Sequence, residues 1–140
     1  MIIPHITKRP TEAWLSGITG GLGLWIVFPS TSMATAGYKM LLEVTSELQW
    51  GLMFMFIGLA HFISVLINGM RWWTPFTRAI MSASTAILYA TWIYGFWVAN
   101  PASTAVFIYI CMCVCAMRCF FYSLRDAAEK VEAVRNGIYS

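Results

Sequence analysis

The stretch ICMCVCAMRCFFY, residues 110–122, holds all four cysteines of the chain and an arginine besides. It is either a metal or redox site or a membrane span rich in thiols, and the choice decides the fold. At ~100° per residue on a helix, Cys111, Cys115 and Cys119 share one face and Cys113 points nearly opposite. A structural zinc site usually has four ligands, often as two close pairs on loops. Here one apolar helix would supply three thiolates, and ionising them inside a membrane is costly. No C-x-x-C pair lies in a loop, where a thiol oxidoreductase would exchange electrons with soluble partners. The stretch therefore reads as a span in which cysteine is a small polarizable packing residue. No metal and no cofactor is expected. Only Cys119 approaches the end of the span, so acylation is entertained for that thiol alone.

Composition carries this reading outward. Of 140 residues, 59% are hydrophobic and only 11% charged. A soluble domain carries about 25% charged residues, so lipid is the expected main solvent. A span needs roughly 20 mainly apolar residues. Four segments qualify: 13–29, 50–68, 76–99 and 104–122. They leave no room for a soluble domain, and residues 1–140 are expected to form a single all-α membrane domain. The fold class is a four-transmembrane-helix bundle with a cytoplasmic C-terminal helical extension over 123–140. Lys8 and Arg9 precede the first segment, but no convincing small-residue cleavage site follows. It reads as a retained span, weakened by Gly17, Gly20, Gly21 and Gly23.

Charge sets the orientation. Lys8 and Arg9 precede span one, Arg71 and Arg78 lie between spans two and three, and Arg125, Lys130 and Arg135 follow span four. The connection between spans one and two has Lys39 offset by Glu43 and Glu47, and "NPAS" has no charge. Lys and Arg favour the cytoplasmic side, which puts both termini inside a bacterial inner membrane. Trp14, Trp72 and Trp73 fall at the inner ends and Trp25, Trp50 and Trp97 near the outer ones, as interfacial anchors; Trp92 lies deeper and reads as packing. "RWW" is read as such an anchor and not as a nucleic-acid patch.

The connections have their own chemistry. Thr11 is expected to cap span one, with Glu12 in its first turn. Thr74 should cap span three, with Pro75 at the first helical position. "VANPAS" makes spans three and four an antiparallel hairpin. In "GYKMLLEVTSELQW", Tyr38, Leu41, Leu42, Thr45 and Leu48 share a face, which suits a short helix on the outer surface. Past Tyr122 the helix should run on, with Arg125–Glu129 and Asp126–Lys130 at i,i+4 and "NG" as a stop. Leu124, Ala128, Val131 and Ile138 form an apolar stripe there, either a solvated helix end or a surface for self-association or for a host or viral partner, membrane-bound or soluble, through the 123–140 tail.

Polar residues inside the spans are few. Arg118 lies about 6 Å from the inner end of span four at ~1.5 Å per residue, a depth from which it can snorkel. Its face includes Thr104, Cys111, Cys115 and Tyr122. His61, Ser64 and Asn68 align on span two, and Ser82 and Tyr89 on span three. The antiparallel directions put His61, Asn68, Ser82 and Arg118 in one half of the bundle, as a candidate polar cavity opening inward. The cluster lacks an acid, since every Asp and Glu lies outside the predicted spans; this argues against a proton-coupled exporter. His61 is the only histidine in a span, which argues against a dihaem protein. "GITGGLG" follows no strand, so it is not read as a dinucleotide fingerprint. Gly17 and Gly21 have the GxxxG spacing of close helix contact, within the chain or between chains. No nucleophile–base pair appears, so no catalytic residue is assigned and the protein is expected not to be an enzyme.

"WGLMFMFIGLAHFISVLING", then "TPFTRA", "NPASTAVFIY" and "YSLRDA" follow one another over residues 50–127. In that order they resemble a loose set of small multi-span membrane proteins of tailed phages and prophages; the cysteine-rich run departs from the pattern. The resemblance implies a viral setting and no particular chemistry. The leading expectation is a non-enzymatic phage-type protein acting at the host inner membrane, holin-like, with the lipid bilayer and further copies of itself as partners and no nucleic acid. Superinfection exclusion and a virion or DNA-delivery role are alternatives, as is a small cellular channel, transporter or redox membrane protein.

Overall fold

The computed structural model describes residues 9–28, 38–67 and 72–136. Among them all regular structure is helical: α1 (Pro10–Val27), α2 (Lys39–Val44), α3 (Glu47–Leu66), α4 (Thr74–Ala99) and α5 (Thr104–Arg135). Three helices, α3, α4 and α5, are long and apolar enough to cross a membrane. The 18-residue α1, diluted by Glu12, two threonines and its glycines, is not among them.

Local chemistry moves the predicted boundaries. α1 starts at Pro10, whose missing N–H costs nothing at a first helical position, so Thr11 lies inside the helix and Arg9 is its N-cap residue. At α4 the N-cap residue is Trp73; Thr74 is the first helical residue, and its carbonyl accepts from Thr77 Oγ1 at 2.9 Å. α3 begins three residues earlier than hydropathy suggests, because Ser46 and Gln49 form a reciprocal capping box. That box, with extended Thr45 before it, cuts the expected surface helix short at Val44. The hairpin turn is as read: Asn100 Oδ1 accepts from Ala102 N at 3.1 Å, and Ser103 Oγ caps α5 through Ala105 N. The 32 residues of α5 span about 48 Å, well beyond a ~30 Å hydrocarbon core.

The helices pack as two antiparallel pairs, α1 with α3 and α4 with α5, joined chiefly where α3 meets α4. The first pair is held at backbone contact by glycine. A Cβ on Gly23 would lie 2.7 Å from Gly51 O, and one on Gly58 would lie 2.9 Å from Ser16 O and inside the backbone of Gly20. Gly17 and Gly21, by contrast, have nothing within 4 Å of a Cβ position. Of the two settings expected for the Gly17/Gly21 face, contact within the chain is not the one seen. The α1–α3 seam runs through Ser16, Gly20 and Gly23, and Gly17 and Gly21 look outward.

Aromatic rings fill the junction between the pairs. Trp92, Phe54 and Tyr89 are fully buried, with Phe54 and Trp92 centroids 4.8 Å apart and Trp92 and Tyr109 5.3 Å apart. α2 folds back onto this cluster. Tyr38 meets Phe96 edge-on at 5.0 Å, and Leu41 sits where a Cβ on Gly95 would be 2.8 Å from its Cδ2. Trp50 belongs here as well. Expected as an outer anchor, it is only 3% exposed, and its Nε1–H donates to Leu41 O at 2.8 Å. The neighbouring α2 covers it. Trp14, Trp25, Trp72 and Trp97 are exposed as anchors would be.

Candidate functional site: a buried charge cluster

The strongest polar feature lies at the end of the bundle where α1 and α4 begin. Arg78, in the second turn of α4, is 0% exposed, and Glu12, in the first turn of α1, is 3% exposed. Arg78 Nε donates to Glu12 Oε2 at 2.7 Å and its Nη2 to Oε1 at 2.5 Å, a two-pronged guanidinium–carboxylate pair. The remaining arm, Nη1, donates to Asp126 Oδ2 at 3.0 Å. Arg9 closes the group, donating to Glu12 Oε1 at 3.2 Å and forming an ion pair with Asp126. Two cations and two anions thus neutralise one another across three helices.

Each helix contributes for a local reason. The N-termini of α1 and α4 carry partial positive charge from unpaired backbone N–H groups, which suits Glu12 and disfavours Arg78. Arg78 is tolerated because Glu12 faces it on the next helix. Asp126 reaches the cluster because α5 runs on without a break past Tyr122. On one face of that helix Ala116, Cys119, Ser123 and Ala127 are buried, and Asp126 sits beside this stripe. An isolated buried ion would cost several kcal/mol, and only close pairing offsets this.

The sequence does not single out this cluster, and the buried cation is Arg78 on α4 and not the expected Arg118 on α5. By position Arg78 borders a connection, and Glu12 and Asp126 lie outside the predicted spans. The continuous α5 and the early start of α1 bring both acids inward. Asp126 pairs with Arg78 and Arg9, and the expected Arg125–Glu129 pair forms at 3.1 Å.

Of the four residues of the expected cavity, two meet. His61 and Ser82 are both fully buried, with His61 Nε2 3.3 Å from Ser82 Oγ. Ser64 Oγ donates to His61 O at 2.8 Å, and His61 Nδ1 is buried with no hydrogen-bond partner among the described residues. Arg118 is not with them. It is exposed, its guanidinium carbon 5.5 Å from the ring centroid of Tyr122, because its face of α5 turns away from α3 and α4. Asn68 lies outside the described residues, as does Ile138 of the tail stripe. In that tail Leu124 and Val131 are exposed, while the packed stripe is Ser123 and Ala127.

Cys119 is 2% exposed, Cys113 and Cys115 are half-buried, and Cys111 is exposed. Cys113 Sγ lies 3.6 Å from Ala86 O. Among the described residues no group of three His, Cys, Asp or Glu side chains is gathered as for a metal ion. Chemically, the buried cluster is an ionic clasp tying the starts of α1 and α4 to α5, with the His61–Ser82 pair in the adjoining interior. Comparison with protein-family models, curated proteins and solved structures gives no match.

Proposed function

We propose that this chain is a four-span inner-membrane protein of phage type that acts by assembling in the host bilayer, without catalysing a reaction, in a holin-like role. The observation that carries the reading is the distribution of polarity. The buried charges are paired with one another, while every long helix offers the outside large apolar side chains, among them Trp25, Phe56, Ile87, Phe107 and Val114. Such a molecule gains by contact with lipid and with copies of itself.

α1 serves as the fourth span. Its 18 residues reach about 27 Å, near the ~30 Å hydrocarbon thickness, and it is seated along α3 by glycine contacts. The cytoplasmic side is the end bearing Arg9, Trp14, Trp72, Arg78 and the tail, which accords with the preference of Lys and Arg for that side. The open Gly17/Gly21 face supports assembly between copies, since small residues let helix backbones approach closely. The order of short motifs over residues 50–127 supports the viral setting.

Controlled expression in bacteria with a membrane-potential dye tests the activity. Abrupt loss of potential above a threshold of expression is the expected result. An unaltered potential at high expression would sink the holin-like role and point to superinfection exclusion or a virion component.

A further inference from the structure

Beside the ionic clasp, between the start of α1 and the middle of α5, lies a pocket of about 190 Å³. Arg9, Thr11, Glu12, Arg118 and Tyr122 line it. Among the described residues of the clasp and the pocket, the charges do not balance. Arg9, Arg78 and Arg118 give three cations, and Glu12 and Asp126 give two carboxylates. Both carboxylates are committed: Glu12 to Arg78 and Arg9, and Asp126 to Arg78 and Arg9. The unbalanced cation is Arg118, which makes no ion pair among the described residues and rests over the ring of Tyr122 at the pocket edge.

The depth of the pocket says which anions it can meet. Arg118 shares the cavity with the first turn of α1, so it lies level with the helix start. Trp14, 72% exposed, sits one turn further along α1, and Trp72 is exposed just before α4; indole rings gather at the headgroup level. At that level the abundant anion is lipid phosphate. Guanidinium groups bind phosphate oxygens through paired N–H donors, and basic recesses between membrane helices on the cytoplasmic side suit anionic headgroups.

We propose that this pocket binds the phosphate of an anionic phospholipid headgroup, with Arg118 as the principal donor and Arg9 at its side. The proposal requires the helices to sit in a bilayer, and it does not depend on what the assembled protein does to that bilayer.

Native mass spectrometry of the detergent-purified full chain, titrated with phosphatidylglycerol, tests it. Phosphatidylethanolamine serves as the zwitterionic arm and inorganic phosphate as the free anion. One phosphatidylglycerol is expected to bind more tightly than the rest, and Arg118→Gln should weaken that site about tenfold, as for loss of a hydrogen bond to a charged group. Arg118→Lys should retain part of the affinity, which separates loss of the site from loss of fold. Arg125→Gln, whose side chain pairs with Glu129 elsewhere, should bind like the parent. Equal binding by parent and Arg118→Gln, or equal affinity for phosphatidylethanolamine, would overturn the proposal. So would Arg118-dependent binding of inorganic phosphate with no matching lipid site, because the ligand would then be a free anion.

Discussion

Replacing Arg78 with methionine removes the centre of the ionic clasp and keeps much of its volume. Glu12 would then keep only the 3.2 Å contact from Arg9, in a site where its side chain is 4% exposed. Breaking a buried pair by removing one partner costs about 3–5 kcal/mol, most of it from the stranded charge. That is a large part of a typical stability of about 5–15 kcal/mol. Glu12→Leu should be as damaging, because it removes the two-pronged carboxylate partner of Arg78 while Arg78 stays fully buried. The double variant should be milder than either, since apolar groups fill the site and Arg9 still pairs with Asp126. Non-additivity of roughly 2–3 kcal/mol is expected. Unfolding in mixed micelles by added dodecyl sulfate, followed by tryptophan fluorescence, measures all four proteins. Arg125→Ala is the control, because an exposed i,i+4 pair contributes only about 0.3–0.5 kcal/mol. An Arg78→Met variant within about 1 kcal/mol of the parent, or simple additivity, would refute the clasp.

Other outcomes follow from the packing and the orientation. Gly58→Ala and Gly23→Ala should each destabilise by about 1–3 kcal/mol through overpacking of the α1–α3 seam, read from the same titrations, while Gly21→Ala should leave folding intact. Gly21→Leu then becomes a probe of assembly alone, expected to reduce oligomer size by native gel or light scattering with the monomer fold unchanged. Cys119→Ser should cost more stability than Cys111→Ser, and replacing all four cysteines should leave metal content by elemental analysis unaltered; stoichiometric zinc or iron lost with the thiols would reverse that view. In a background without native cysteines, Ala36→Cys should label from outside intact cells and Ala133→Cys only after permeabilisation.

Much of the architecture is legible because it rests on local signals. Apolar runs place α3, α4 and α5, Pro10 and Pro75 mark helix starts, and Asn100 and Ser103 form the hairpin. Arg125–Glu129 follows from spacing on one helix. The clasp is different, since Glu12, Arg78 and Asp126 are separated by 66 and 48 residues; Glu12 and Arg78 border connections and Asp126 lies in the tail helix, where a charge is unremarkable by itself. A usable hint was present: Glu12 and Arg78 both lie just inside proline-initiated helices that begin on the same side. Asp126, likewise, is seven residues beyond Cys119, on the same face of an unbroken helix. The glycine seam was missed by one face because GxxxG counts spacing only. Which of two glycine rows faces the partner depends on the neighbouring helix, here on Gly51 and Gly58.

The distribution of the clasp along the chain bears on the order of its biogenesis. A chain made from its N-terminus delivers Arg9 and Glu12 first, Arg78 much later, and Asp126 near the end. Until α5 emerges, Arg9 and Arg78 together outnumber the one acid available to them. In the proposed orientation they would serve during that interval as charged anchors that keep their helix ends on the side of synthesis, in line with the retention of Lys and Arg there. Arrival of Asp126 balances them and lets the helix ends close. On that orientation the same arginines would act first as orientation signals for the growing chain and afterwards as its internal lock, so a chain released before residue 126 would be oriented but left unlatched.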